Sequence, residues 1–238
     1  MIELIQEYWL YFLVGQYPNG PLGGLSLTIL LSAAALLLAM PLGLMLGIAR
    51  VSPYRAVRWP VTALVQVVRA VPLLLVLFWV YFFLPAVTGV KTSQATTMLM
   101  VLVVFDSVYL AEIVAAGLRA LPKGQLESAR SLGLGYFQAL RLVLLPQALT
   151  NVLPSLVNQL VSTIKATSLG YIIGLSDVSF IATQVNTLVF TKAVEVYIIL
   201  ALTYFVLCFG LSRLAFLLER RLGRRAGAES GRASPISL

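Results

Sequence analysis

The chain has 238 residues, of which 60% are apolar and only 11% carry a charge, whereas a soluble domain has about 45–50% apolar and about 25% charged residues. This composition leaves too little polar surface to cover a globule and predicts a membrane protein. The formal net charge is +8, histidine is absent and there is one cysteine, which excludes imidazole metal sites, histidine-dependent nucleophiles and a disulfide framework.

The first residues predict a helix that lies along the outer surface of the membrane. Ile2, Ile5, Trp9 and Phe12 recur at helical spacing, as expected for an interfacial amphipathic segment. Acidic residues stand where a secretory signal peptide would carry basic ones, and no small-residue cleavage site follows. We therefore predict that this segment is retained.

Five stretches are apolar and long enough to cross a bilayer, since a span needs about 20 such residues. They comprise 22–49, a second span that begins near Trp59 with its core at 70–90, then 92–118, 142–164 and a last span centred on 196–212. A further apolar segment, 168–190, is interrupted by Gly170, Gly174 and Asp177. For this segment we predict a re-entrant or interfacial helix.

Basic residues predict the orientation, because Lys and Arg remain on the cytoplasmic side. With five spans, the thirteen basic residues in 50–58, 119–141 and 213–232 share one side, and only Lys91 and Lys192 face the other. A sixth span at 168–190 would export the arginine-rich tail. We therefore predict five transmembrane helices with the N-terminus outside and the C-terminus in the cytoplasm. The Arg-, Gly- and Ser-rich tail from Gly223 is expected to be disordered.

The loop between the third and fourth spans carries the most informative pattern. Residues 121–147 read LPKGQLESARSLGLGYFQALRLVLLPQ, with a helix-compatible segment at 125–132 that ends at Gly133, a typical C-terminal cap. The loop is longer than a helical hairpin needs, so we expect a partner to dock there. A basic interfacial helix without a partner is the alternative.

Ionisable residues within spans are costly and usually face a cavity or a partner. In a continuous second span, Arg69 lies about ten residues from the start, about 15 Å deep at 1.5 Å per residue. Its guanidinium matches a carboxylate in bidentate fashion, and an internal ion pair with Asp106 or Glu112 is the alternative. Asp106 is the deeper acid and is expected to face the central cavity. Glu112 is expected to pair with a basic loop residue.

Two further groups of residues are expected to contribute to the site or to helix packing. Lys165 ends the fourth span on the outer side, where it either contacts substrate together with Thr167 and Ser168 or extends to water. Gly43-x-x-x-Gly47 permits close approach of two helices.

The loop pattern resembles the permease subunits of bacterial ABC importers for polar amino acids. Their hallmark is Glu-Ala-Ala, three residues, Gly, nine residues, and Ile-x-Leu-Pro. The sequence has Glu127-Ser128-Ala129, then Gly133, then nine residues before Val143, and Leu145-Pro146, so the spacing is kept and Ser128 and Val143 are the departures.

Other parts of the chain are similar to the same family. Arg69-Ala70-Val71-Pro72-Leu73 is similar to its second-span Arg-Gly-Thr-Pro-Leu. The segment 165–169, Lys-Ala-Thr-Ser-Leu, is similar to its Lys-Asp-Thr-Ser-Leu, with Ala166 in place of the acid. The runs Trp79-x-Tyr81 and Leu175-Ser176-Asp177 are most similar to glutamate/aspartate permeases.

The resemblance implies an all-α integral membrane protein with the type I ABC importer permease fold, in the inner membrane of a bacterium. It divides the chain into a periplasmic interfacial segment (1–20), a transmembrane permease domain (21–222) with a cytoplasmic coupling loop (119–141), and a disordered cytoplasmic tail (223–238). The implied function is ATP-driven import of polar amino acids, with glutamate and aspartate as the expected substrates.

The resemblance also implies site residues and partners. Together with the charged residues within the spans, it gives Arg69, Asp106, Lys165, Thr167 and Ser168 as the expected substrate-binding residues. The residues that couple to the ATPase are Gln125, Glu127, Ser128, Ala129, Gly133, Leu145 and Pro146. The partners are a second permease subunit, identical or paralogous, two cytosolic ATPase subunits and a periplasmic amino acid-binding protein. The sequence contains no Gly-x-x-x-x-Gly-Lys-Ser/Thr stretch, so this chain is expected to hold no cofactor, and the partner ATPase binds ATP and Mg²⁺.

Three other classes are weaker. An ion-gradient-driven secondary transporter or channel subunit needs acids that carry ions, for which Asp106 is the strong candidate, but it gives the long loop no purpose. An intramembrane enzyme is disfavoured by the missing histidines and the missing Gly-x-Ser-x-Gly arrangement, so we expect no catalytic site. Nucleic-acid binding is not expected, because a positive-inside anchor explains the arginine-rich tail.

Overall fold

A computed structural model describes the backbone of residues 2–232 and the side chains of residues 3–221. All regular elements within that range are helices. In chain order they are α1 (Ile2–Val14), α2 (Gly24–Arg50), α3 (Arg55–Ala70), α4 (Leu73–Thr88), α5 (Gln94–Arg119), α6 (Lys123–Ser131), α7 (Tyr136–Ile173), α8 (Val178–Val189) and α9 (Ala193–Arg232). Single π-helical turns interrupt α4 at Trp79–Phe83 and α7 at Leu140–Leu144.

Four helices, α2, α5, α7 and α9, are long and apolar enough to cross a membrane. The pair α3 and α4 supplies a fifth span only if these two helices are counted together. Five is therefore the upper count that the described residues allow. Helix α8 has 12 residues, too few to cross a bilayer, as expected for a re-entrant or interfacial helix.

The second predicted span is broken rather than continuous. Helices α3 and α4 meet at an angle of 92°, and the break falls at Val71, which is extended with φ −88° and ψ 130°. The cause is Pro72, because a proline disfavours the helical conformation of the residue before it. The expected continuous second span is therefore replaced by two helices that meet just after Arg69. Arg69 lies in the last turn of α3.

The two halves of this broken segment pack at different levels of α5. In α3, Val65 is buried against Val108 and Ala111. In α4, Leu77 is buried in one cluster with Met98 and Val101, about three turns nearer the N-terminus of α5. Helices α3 and α4 therefore pack against different parts of α5.

Close helix contacts depend on the predicted glycine pair. A Cβ atom added at Gly43 would lie 2.4 Å from Leu110 Cβ, and one added at Gly47 would lie 2.7 Å from Val114 Cβ. Gly117 allows a similar approach of α5 to α7, where its Cβ would meet Val152 at 2.4 Å. The predicted close approach at Gly43 and Gly47 is confirmed, and α5 is the central helix of the bundle.

Both ends of the chain differ in detail from the prediction. Helix α1 forms as expected, but Leu4 joins Phe12 in a buried cluster with α8 and α9, while Ile5 and Trp9 are exposed. At the other end, α9 continues to Arg232, so residues 223–232 are helical where disorder was predicted. Arg, Ala and Glu, which favour helix, outweigh the glycines there. Residues 233–238 lie outside the described range.

Candidate functional site

Asp106 forms the centre of a polar site between α5 and α7. Its side chain is 2% exposed. Gln159 Nε2 donates a hydrogen bond to Asp106 Oδ1 at 2.8 Å, and Thr163 Oγ1 donates to Oδ2 at 2.9 Å. Gln159 and Thr163 are four residues apart and therefore share one face of α7. The carboxylate is thus held by neutral donors, as a buried polar group requires.

A cavity of about 270 Å³ opens beside this carboxylate. It is lined by Phe105, Asp106, Tyr109, Gln159, Ser162, Thr163 and Ala166. Asp106 is the charged member of this lining, so the cavity carries a negative charge and suits an ammonium group. Ala166, which replaces the acid expected from the family pattern, contributes an apolar wall.

Arg69 does not pair with Asp106 in the structure. Its Nη1 atom lies 2.8 Å from Glu112 Oε2, so of the two internal pairs predicted for Arg69, the Glu112 pair is the observed one. The Arg69 guanidinium also lies 5.0 Å from the centre of the Tyr109 ring, in the range of a cation–π contact. Because Tyr109 also lines the Asp106 cavity, one aromatic ring connects Arg69 with that cavity.

Glu112 forms ion pairs with basic side chains from three helices. Arg50 Nη1 lies 2.5 Å from Glu112 Oε2, and Arg119 Nη1 lies 3.9 Å from Oε1. Glu112 was expected to pair with a basic loop residue, whereas its partners Arg50, Arg69 and Arg119 each lie in the last turn of a helix. The burial of Arg50, whose side chain is 6% exposed, was not foreseen, because the positive-inside pattern treats every arginine at a span end alike.

The remaining predicted substrate residues lie apart from Asp106. Thr167 is fully buried, and its hydroxyl donates to the Ile164 carbonyl at 2.7 Å. Ser168 donates to the Lys165 carbonyl at 2.6 Å and lines a second cavity of about 280 Å³ with Tyr171 and Ser179. Lys165 itself is exposed. Lys165, Thr167 and Ser168 are thus not among the residues that line the Asp106 cavity.

Gln159 and Thr163, which hold Asp106, were missed by the sequence analysis. Their spacing of four residues in the apolar fourth span could have revealed them, because two polar residues on one face of a span commonly mark a helix contact or a cavity.

The predicted coupling segment forms a separate surface. Helix α6 (Lys123–Ser131) covers most of the expected segment 125–132, and Gly133 follows it with φ +85°, a conformation that favours glycine. Gln125, Glu127 and Ser128 are exposed, whereas Ala129 is 3% exposed and anchors the helix. Leu145 and Pro146 begin the regular part of α7 after its π-helical turn.

Apolar side chains project from the same surface. Leu132 is 83% exposed and Phe137 is 69% exposed. Gln147 Nε2 donates to Gln125 Oε1 at 3.4 Å and so links α6 to α7. Leu132 directly follows α6 and Phe137 lies in the first turn of α7, and large apolar side chains exposed beside a polar helix are typical of a protein contact surface.

Comparisons with known proteins place the chain among transport components. A family model described as "Binding-protein-dependent transport system inner membrane component" matches residues 39–224. The chain is 37% identical over 222 residues to the inner membrane amino-acid ABC transporter permease protein YhdY of Escherichia coli K12. This alignment covers 90% of this chain and 60% of that protein.

Two further relatives differ in the substrates given in their names. The chain is 35% identical over 209 residues to the glutamate/glutamine/aspartate/asparagine transport system permease protein BztC of Rhodobacter capsulatus, covering 85% of this chain and 48% of BztC. It is 33% identical over 200 residues to the probable glutamine ABC transporter permease protein GlnP of Bacillus subtilis, covering 83% of this chain and 91% of GlnP. The chain thus spans 60% and 48% of the first two relatives.

The fold matches a solved structure as well. A crystal structure of an amino acid ABC transporter with histidines superposes with a TM-score of 0.76 and 32% sequence identity, covering 83% of this chain and 92% of the other.

Proposed function

The chain belongs to the family of binding-protein-dependent transport system inner membrane components, and from this premise we propose that it is the permease subunit of an ATP-driven importer for polar amino acids. The observation that carries the proposal is the coupling surface, where exposed Leu132 and Phe137 flank Gly133 at the end of α6. The chain has no phosphate-binding loop of its own. ATP and Mg²⁺ are therefore bound by two cytosolic ATPase subunits.

The coupling surface transmits movement through α6. In this proposal α6 sits in a cleft of the ATPase, with Gln125, Glu127 and Ser128 at the contact and Ala129 fixing the helix to its own chain. A rigid-body movement of the ATPase then passes to α7 through Leu145 and Pro146. The Gln125–Gln147 hydrogen bond supports this coupling, because it ties α6 directly to α7.

The proposed assembly follows from the charge distribution and from the size of the bundle. The N-terminus faces the periplasm and the C-terminus faces the cytoplasm of a bacterial inner membrane. Five spans enclose too small a bundle for a pathway with two gates. A second permease subunit, identical or paralogous, therefore completes the pathway, and a periplasmic binding protein delivers the substrate.

Within this function we propose acidic amino acids, glutamate and aspartate, as substrates. The Asp106 carboxylate receives the substrate ammonium group, and Arg69, on the ring of Tyr109, receives a carboxylate. Lys165, Thr167 and Ser168 contribute near the outer end of α7. Their separation from the Asp106 cavity supports a path with two successive contacts rather than one pocket. BztC is named for these two amino acids and for glutamine and asparagine.

An ion-gradient-driven transporter or channel subunit is the second candidate. The observation in its favour is the buried Asp106 carboxylate beside a cavity, since a buried acid can carry a proton or a cation.

Replacement of Asp106 tests the proposed substrate contact. Asp106→Asn keeps the size of the side chain but removes the charge, and a hydrogen bond to a charged group is worth about 1.5–3 kcal/mol. Uptake of glutamate by proteoliposomes that contain the full complex should fall roughly 10- to 150-fold. Asp177→Asn is the matched control, because Asp177 is also a buried acid but caps α8. Equal uptake in the Asp106 variant and the wild type would contradict the contact.

A further inference from the structure

Three guanidinium groups surround the single carboxylate of Glu112. Arg50 and Arg69 both lie on Oε2, at 2.5 and 2.8 Å, and Arg119 lies 3.9 Å from Oε1. One negative charge therefore faces three positive charges. At least one of these arginines is in excess, in the sense that Glu112 stays neutralised without it.

Arg50 and Arg69 are not equivalent in this cluster. The side chain of Arg50 is 6% exposed, and that of Arg69 is 37% exposed. A buried ion pair that loses one partner leaves a costly unpaired charge, whereas a partly exposed pair is weak and breaks easily. Arg50 is therefore the permanent partner of Glu112. Arg69 can leave Glu112 without leaving a buried charge unpaired.

Arg69 is also the arginine that lies near the candidate substrate cavity. It occupies the last turn of α3, just before the 92° break to α4. Its guanidinium lies 5.0 Å from the centre of the Tyr109 ring, and Tyr109 lines the cavity that contains Asp106. Arg69 therefore contacts both Glu112 and a residue that lines that cavity.

We infer that Glu112 is a positioning residue, which pairs with Arg69 until the carboxylate of the transported amino acid binds the Arg69 guanidinium. Arg50 keeps Glu112 neutralised when Arg69 moves. The inference rests on the proposed function and adds to it a competition between two carboxylates. Glu112 competes with the substrate for Arg69, so it lowers the affinity of the site and favours release of the substrate.

The competition is measured as equilibrium binding of radiolabelled glutamate to the purified, assembled complex without ATP. Glu112→Gln removes the competing charge, so the affinity for glutamate should rise about 2- to 5-fold, in line with the strength of a partly exposed ion pair. Glu112→Asp keeps the charge and should return the affinity toward the wild-type value. Glu219→Gln is the control, because Glu219 is exposed on α9 and lies outside this cluster.

A double-mutant cycle separates this role from a structural one. Arg69→Met should weaken binding, and Glu112→Gln should add no gain in the Arg69→Met background, because the competition needs both partners. An equal effect of Glu112→Gln with and without Arg69 would overturn the inference, as would an unchanged affinity in an assembled Glu112→Gln complex.

Two further outcomes are informative. If Glu112→Gln alone prevents assembly, the Arg50→Met, Glu112→Gln variant removes both halves of the buried pair, and the same gain in affinity is expected; no gain would overturn the inference. If the wild-type complex neither binds nor takes up amino acids, the proposed function itself is wrong. If the wild-type complex binds glutamate but Glu112→Gln has the same effect with and without Arg69, the inference is wrong and the proposed function stands.

Discussion

Replacement of Gly133 should uncouple the ATPase while the bundle stays folded. Gly133 has φ +85°, and a Cβ added there would meet no atom within 4 Å. The Cβ atom of a leucine at this position therefore meets no neighbour in its own chain, and the cost within the chain is that of the left-handed conformation, about 1–2 kcal/mol. Such a cost changes an equilibrium about 5- to 30-fold. Because this strain falls at the end of α6, on the surface where the ATPase is proposed to dock, substrate-stimulated ATP hydrolysis by the reconstituted complex should fall about 5- to 30-fold.

Gly89 provides a control with the same backbone strain. It has φ +70°, an added Cβ would again meet no atom within 4 Å, and in the proposed topology it lies on the opposite side of the membrane. Gly89→Leu should lower the melting temperature as much as Gly133→Leu but keep stimulated ATP hydrolysis. Asparagine adopts the left-handed conformation more readily than leucine. The rate of stimulated ATP hydrolysis in the Gly133→Asn complex should therefore lie between those of the wild type and Gly133→Leu. An assembled Gly133→Leu complex with wild-type stimulated hydrolysis would refute the coupling role.

Further expectations concern packing, topology and pH. Gly43→Val should force α2 away from α5, since the added Cβ would lie 2.4 Å from Leu110 Cβ, and should destabilise the purified protein by about 1–3 kcal/mol. Gly210→Val is the control and should leave the stability unchanged, because a Cβ at Gly210 would meet no atom within 4 Å. Equal melting temperatures for the two variants would contradict the close packing at Gly43. A membrane-impermeant thiol label should modify a cysteine placed at Lys91 and not one at Arg221; labelling of the second from outside would contradict the orientation. Burial raises the pKa of Asp177, which lies outside the candidate spans, from 3.8 to about 6. The folded state thus binds a proton more tightly than the unfolded state, so its stability should fall as pH rises from about 4 through about 6. Asp177→Asn, which still caps α8, should flatten this dependence; an unchanged pH profile would contradict it.

Local patterns were sufficient where one short stretch decides the structure. The end of α6 at Gly133 follows from glycine and helix capping, and the close approach of α2 and α5 follows from the spacing of Gly43 and Gly47. The break at Pro72 was also readable in principle, since the residue before a proline avoids helical geometry. Hydropathy averaged over 20 residues concealed it, so the second span was predicted as one continuous helix.

The candidate site was harder to predict because it depends on which helix faces meet. Sequence spacing identified Asp106 and Glu112 as separate acids about 120° apart on one helix at 100° per residue. It could not decide which arginine reaches which acid. That choice depends on the angle between α3 and α4 and on the burial of Arg50, both of which are properties of the packed bundle.

The energy source of transport tests the central claim most directly. Proteoliposomes that contain this chain, its partner permease and the ATPase subunits are loaded with ATP and Mg²⁺ and supplied with binding protein and radiolabelled glutamate. The account predicts uptake that requires internal ATP and persists when ionophores abolish all ion gradients. Uptake without ATP that follows an imposed proton or sodium gradient would contradict it and favour the ion-driven alternative.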